Sequence, residues 1–289
     1  MKKFKYILVA AMAVATLFSC KKDDDKPASK PTPTVPEAKV DVYTVRLESS
    51  TGTFVMGYND LTLSVLDASG KEVALEAATF TPWMNMFKGD GKGGFIKEVD
   101  FTHTCPHTAL AKEGNVWKSQ ALFQMVTGPS GVWFGTITFK VAGKDYELKR
   151  LDFTVVEQTN KALGKVHNFR VFTEGGNPKG QKHIYAVIAP EHPKVGENDL
   201  VLGIWKMQSK ENFPEVEGLT VGVAVKDATG KELSTTTLSY KDKFYRGKVT
   251  YPKAGEYTLS YTLKDAQGKA IQPQDNDKKD ISIATTIQF

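Results

Sequence analysis

Eight stretches of this chain alternate apolar with polar or small residues, and any fold must satisfy that alternation. They are "VDVYTVRLE" (40–48), "DLTLSVLD" (60–67), "WFGTITFKV" (133–141), "LDFTVVE" (151–157), "HIYAVIAP" (183–190), "LTVGVAVKD" (219–227), "FYRGKVTY" (244–251) and "EYTLSYTLKD" (256–265). Successive side chains of an extended chain point to opposite faces, so period two builds a sheet with one face buried. Val, Thr, Tyr and Phe dominate these stretches, as a pleated, half-buried surface favours. Turn signals separate them: "DASGK" (67–71), "AGKD" (142–145), "DATGK" (227–231) and "DAQGK" (265–269). No segment beyond the first twenty residues carries a helical period. The chain therefore reads as all-β.

A weak internal repeat divides it. "GYNDLTLSV" from Gly57 matches "GENDLVLGI" from Gly196 at an offset of 139, and "SGVWFGTITF" (130–139) matches "AGEYTLSYTL" (254–263) at 124. Short strands with regular turns, repeated once, predict two tandem immunoglobulin-like β-sandwiches. The first spans 40–157 and the second 165–289, with a linker at 158–164. The first offset places Met84 and Met86 on Val223 and Val225, pointing into a core or a sandwich end. The mismatch of offsets gives the first sandwich fifteen extra residues, and "HTCPH" (103–107) is expected to fall among them.

The N-terminus sets the compartment. "MKKFKYILVAAMAVATLFSC" has a basic start, an apolar run and then Ser19 and Cys20. That is a secretory signal peptide over 1–19, too short to span a membrane. "LFSC" resembles the lipobox of bacterial lipoproteins, which implies cleavage before Cys20 and its acylation. A plain secreted protein with Cys20 paired to Cys105 is the alternative. Residues 20–39 are charged and then proline-rich, with little to bury, so they read as a flexible tether. "CKKDDDK" resembles the export signal of Bacteroidetes surface lipoproteins, which implies the outer membrane, surface-exposed or else facing the periplasm. The formal net charge is +5, and about +2 once Lys2, Lys3 and Lys5 leave with the signal. That is too small for a nucleic-acid footprint.

The chemistry concentrates in one region. His103, Cys105 and His107 lie within five residues, in a chain with five histidines and two cysteines. Met84 and Met86 are two apart on a strand and so share a face. Met125 is a further candidate. Outside the signal peptide the only other methionines are Met56 and Met207. Thioether and thiolate are soft donors that favour Cu(I), while imidazole suits copper and zinc alike. A structural zinc site takes four Cys or His ligands, and three stand here. Calcium takes convergent carboxylates, and no such spacing is present. The set of Met84, Met86, His103, Cys105, His107 and Met125 thus points to copper, with Cu(I) favoured. A lone Cys105 in an oxidising compartment fits metal binding, or else burial as an inert thiol.

"PWMNM…FTHTCPH…VWKSQALFQM…PSGVWFGTITF" resembles the YtkA-like and FixH-like domains of bacterial envelope proteins, related to the copper-resistance CopC sandwich. The residues that carry the resemblance are Met84, Met86, His103, Cys105, Pro106, Gly131 and Trp133. The resemblance covers about 55–140 and implies copper binding or traffic, with a metal-donor or acceptor protein as partner. One departure is the absence of a histidine beside the Met-x-Met.

Enzyme signatures are missing. "GPSG" (128–131) lacks the strand–turn–helix setting of a hydrolase elbow. "KGDGKGG" (88–94) precedes no helix that could hold a phosphate. His167, His183 and His192 read as structural. The rival to copper is a surface-recognition module for a glycan, a peptide or an envelope protein, with Trp83, Trp117 and Trp205 as an aromatic platform.

Overall fold

The computed structural model describes residues 35–158, 169–175 and 180–289. The signal peptide, Cys20, the tether up to residue 34, residues 159–164 of the linker and His167 lie outside them. Among the described residues there is no helix, and the fold is an all-β sandwich fold with two hydrophobic cores.

The first sandwich comprises β1 (Glu37–Val40), β2 (Tyr43–Ser49), β3 (Phe54–Val55), β4 (Gly57–Leu66), β5 (Ala77–Gly89), β6 (Phe95–His103), β7 (Ala111–Glu113), β8 (Val116–Phe123), β9 (Gly131–Val141), β10 (Lys144–Phe153) and β11 (Val155–Val156). One sheet runs β1-β2-β4-β8-β7 and the facing sheet β10-β9-β5-β6. Val45, Leu47, Leu61, Leu63, Phe80, Ile137 and Phe139 alternate inward and fill the space between them, as the period-two pattern requires.

The second comprises β12 (Phe169–Glu174), β13 (Lys182–Ala189), β14 (Gly196–Met207), β15 (Thr220–Asp227), β16 (Glu232–Lys241), β17 (Phe244–Tyr251), β18 (Glu256–Lys264), β19 (Ala270–Ile271), β20 (Pro273–Gln274) and β21 (Ile283–Gln288). Here β16 changes sheets within its own length. Its first part pairs with β15 and its last three residues with β17.

The repeat is visible in hydrogen bonds. The buried Asn59 amide donates to the carbonyls of Val55 (2.7 Å) and Gly57 (2.9 Å), and its oxygen accepts the Val55 N–H. Asn198 does the same with Lys194 (2.7 Å) and Gly196 (2.9 Å). Gly57 and Gly196 both hold positive φ, 114° and 92°. The indole of Trp133 donates to Met125 O (2.8 Å), and the hydroxyl of Tyr257 donates to Lys253 O (2.7 Å) in the sister.

Strand register moves one expectation. Met84 lies opposite Trp133, whereas Asp227 lies opposite Tyr257. The partner of Met84 is therefore Asp227 rather than Val223, and β15 ends where β5 continues. In the sister, Asp227 closes a tight turn by donating its N–H to Lys231 O (3.0 Å). In the first sandwich that turn is replaced by the long β5–β6 hairpin, with Met84 opposite His103 at its base. The fifteen extra residues are this hairpin. The segment after His103 has a counterpart, the start of β16, because β7 meets β8 as the end of β16 meets β17.

Candidate metal centre

Three of the expected ligands lie side by side on one face of the sheet. Met84 is fully buried and Met86 half-buried on the inner face of β5. Across the sheet, Met84 stands between His103 on β6 and Trp133 on β9, and Met86 between Phe101 and Gly131. A Cβ built on Gly131 meets the Met84 methyl at 3.0 Å and the Met86 sulfur at 3.3 Å. Only glycine leaves room there for both thioether side chains.

His103 is half-buried, its ring edge-on to Trp133 (centroids 6.0 Å, 78°) and tilted towards Phe101 (6.0 Å). Its Nδ1 lies 2.9 Å from Thr104 O. A carbonyl only accepts, so Nδ1 carries the proton, and in the neutral ring the free lone pair is that of Nε2. A backbone carbonyl fixing the tautomer in this way is the usual support of a metal-binding imidazole. Trp133, fully buried, closes the floor. Two thioethers and one imidazole form a neutral, soft donor set that fits Cu(I).

The other candidates have different surroundings, although Cys105 and Met125 pack in the same core as Met84 and Trp133. Cys105 is fully buried in the first core, where burial pushes its thiol pKa far up and keeps it protonated. His107 faces the second sandwich. It lines a small cavity with Pro106, Leu122, Trp205 and Phe244, and its Nδ1–H donates to Cys105 O (2.8 Å). Burial pushes its pKa down. The Met125 side chain packs against the first core while its carbonyl holds the Trp133 indole. Among the described residues no group of three or more His, Cys, Asp and Glu is arranged to hold a metal ion.

The tryptophans form no row. Trp83 is on the outer face of its sheet, donating to Thr136 Oγ1 (3.1 Å). Trp117 packs against the first core with its indole N–H unpartnered, and Trp205 is buried between the sandwiches. His183 is buried and stacked on Phe172 (5.3 Å). His192 borders an open cleft of about 680 Å³ with Tyr58, Asp60 and Glu191.

Two contributors carry no sequence signal. Thr104, fully buried, donates its hydroxyl to Pro82 O and its N–H to Lys210 O (2.9 Å) of the second sandwich. The Lys210 ammonium sits over the Phe101 ring at 3.8 Å. The two contacts of Lys210 are not encoded by a local pattern, since each joins segments about a hundred residues apart.

No protein-family model and no curated protein matches the chain. Among solved structures it is similar to the Yersinia pseudotuberculosis adhesin InvE, at 8% identity and TM-score 0.23, covering 86% of this chain and 60% of that one. Dimeric latent PorU from Porphyromonas gingivalis matches at 9% identity and TM-score 0.27, covering 83% and 34%. A mutant Salmonella alpha-2-macroglobulin matches at 12% identity and TM-score 0.28, covering 86% and 17%. The chain thus spans less than two thirds of each, and these scores carry no functional argument.

Proposed function

We propose that this chain is an outer-membrane lipoprotein, anchored through Cys20, whose first sandwich binds copper as Cu(I) for capture, storage or hand-over. The observation that carries the reading is the convergence of Met84, Met86 and His103 on one half-buried face beside Gly131. The resemblance to YtkA-like and FixH-like domains rests on the same residues and points the same way. Neutral thioethers hold a soft monovalent ion without adding charge to the interior. Met86 and His103 lie at the rim, so an incoming ligand on a partner protein can replace them one at a time. Cys105 and His107 stand outside this set.

The test is an anaerobic Cu(I) titration of the chain from Lys21 onward against a chromophoric chelator. The Met84→Leu/Met86→Leu variant runs beside it, because leucine conserves volume and each swap costs less than ~1.5 kcal/mol. One Cu(I) bound by the wild type and lost by a variant that unfolds at the same temperature supports the reading. No Cu(I) bound by the wild type overturns it.

One observation favours the second reading, a module that docks another envelope protein. β6 pairs only with β5, and its Phe95, Ile96, Val99 and Phe101 are exposed. Unpaired edges with apolar side chains accept partner strands. Under that reading Ile96→Lys abolishes partner capture in cross-linking while leaving any copper titration unchanged.

A further inference from the structure

We infer that Lys210, supplied by the second sandwich, is a specificity-determining residue that sets the preference of the centre for Cu(I) over Cu(II). The inference rests on the copper reading. Lys210 sits at the tip of a fixed turn. Gln208 and Ser209 donate their N–H groups to Asn212 O (3.0 and 3.3 Å), and the Asn212 amide donates to Gln208 Oε1 (2.8 Å). Below the tip, Lys206 donates to Pro214 O (2.9 Å), and Phe213 is buried in the apolar cluster of Leu122, Ile184, Trp205 and Phe244 that joins the two sandwiches.

From this base Lys210 grips the metal segment twice. Its carbonyl accepts the N–H of Thr104, the residue next to His103, and its ammonium rests on the face of Phe101, whose ring neighbours His103 and whose backbone lies opposite Met86. A cation is thus held one aromatic ring away from the ligands. Among the described residues no carboxylate is ion-paired with it.

The donor set of two thioethers and one imidazole is neutral, so the charge of a bound ion is not compensated by its ligands. A fixed positive charge then repels Cu(II) twice as strongly as Cu(I). With one aromatic ring between the charges, in a partly screened site, the difference amounts to a factor of about three to ten in relative affinity. Lys210 is exposed, so the effect weakens with added salt.

The experiment measures Cu(I) and Cu(II) affinities for the whole chain from Lys21 onward, for the wild type, Lys210→Gln and Lys210→Arg. Glutamine keeps an unbranched stem over Phe101 and removes the charge without adding a thioether, whereas arginine keeps the charge. We expect Lys210→Gln to lower the Cu(I):Cu(II) affinity ratio at least threefold, Lys210→Arg to restore it, and high salt to erase the difference. Each tenfold in that ratio is about 59 mV in the one-electron midpoint potential. Equal ratios in all three proteins, with copper bound, overturn this inference alone. Absence of copper binding in the wild type overturns the copper reading and this inference together.

Discussion

The hairpin at 84–103 and the turn at 227–231 occupy the same place in two related sandwiches. In the second, Asp227 closes on Lys231, and the Asp227 carboxylate accepts the N–H groups of Thr229 and Lys231. In the first, β5 runs on past Met84 and β6 brings the chain back to His103. The sister shows that the fold closes here with five residues. The additional length is thus free of folding duty, and Met86 and Phe101 lie within it, with Met84 and His103 at its base. The edge chemistry differs too. β6 exposes Phe95, Ile96 and Val99, whereas β16 exposes Ser234, Thr235 and Thr237 and, among large apolar side chains, Leu233 alone. Polar residues blunt an edge strand, and apolar ones leave it adhesive.

The comparison breaks most directly by exchange. Replacing residues 85–102 with the sister's Ala-Thr-Gly turn is expected to weaken Cu(I) binding at least a hundredfold while the far-UV spectrum stays that of a β protein. Loss of folding would show that the hairpin does hold the sandwich together.

Glycine substitutions give the next effect. Gly131 opens β9, and Gly255 immediately precedes the corresponding strand, β18. A Cβ on Gly131 meets Asn85 O at 2.4 Å, a backbone atom that yields only if β5 and β9 separate, whereas Gly255 has nothing within 4 Å. Gly131→Ala is expected to cost about 3 kcal/mol of overpacking. Gly255→Ala meets only the backbone strain of its φ of 155°, about 1–2 kcal/mol. Urea unfolding of both variants measures the difference, and equal losses would remove the steric argument for Gly131 as the cradle of the two thioethers.

The asparagine pair sharpens the likeness rather than the difference. Asn59→Ala and Asn198→Ala each remove three hydrogen bonds at a buried side chain. Each is expected to cost about 2 kcal/mol, with the two values within 0.5 kcal/mol of one another if the loops are energetically equivalent. Unequal losses, read by the same unfolding curves, would confine the equivalence to geometry.

The smallest effect is on pH dependence. Burial depresses the pKa of His107 between the sandwiches and of His183 in the second. A depressed pKa means that the unfolded chain takes up a proton before the folded one does. The stabilisation is fully present above about pH 6.5 and is lost as pH falls from there through the folded pKa. His107→Gln and His183→Gln should each flatten the fall in stability between pH 6.5 and 5, by about 1 kcal/mol or less. A slope unchanged by both substitutions would place the acid sensitivity elsewhere.

Much of this was legible in the chain. Alternation located the strands, since only one face of each sheet can be buried, and the match of "GYNDLTLSV" to "GENDLVLGI" marked the repeat, in which the structure then shows Asn59 and Asn198 binding their loops in the same way. Met84 and Met86 shared a face because side chains two apart on a strand must. The cluster "HTCPH" misled in part. Five consecutive residues look like one site, yet His103 ends a strand and the chain then crosses between sheets. That turns Cys105 into the core and His107 towards the second sandwich. The repeat also misplaced Met84 by four residues, because sequence offsets slide along alternating strands without penalty whereas hydrogen-bonded register does not.

The sequence by itself determined the all-β class, the duplication and the soft-donor residue types, because each is written in local periodicity or composition. Tertiary structure decided which donors share a face, that the extra residues form a hairpin beside them, and that Lys210 rests on Phe101. Those are distances between segments remote along the chain, and only packing and strand register set them.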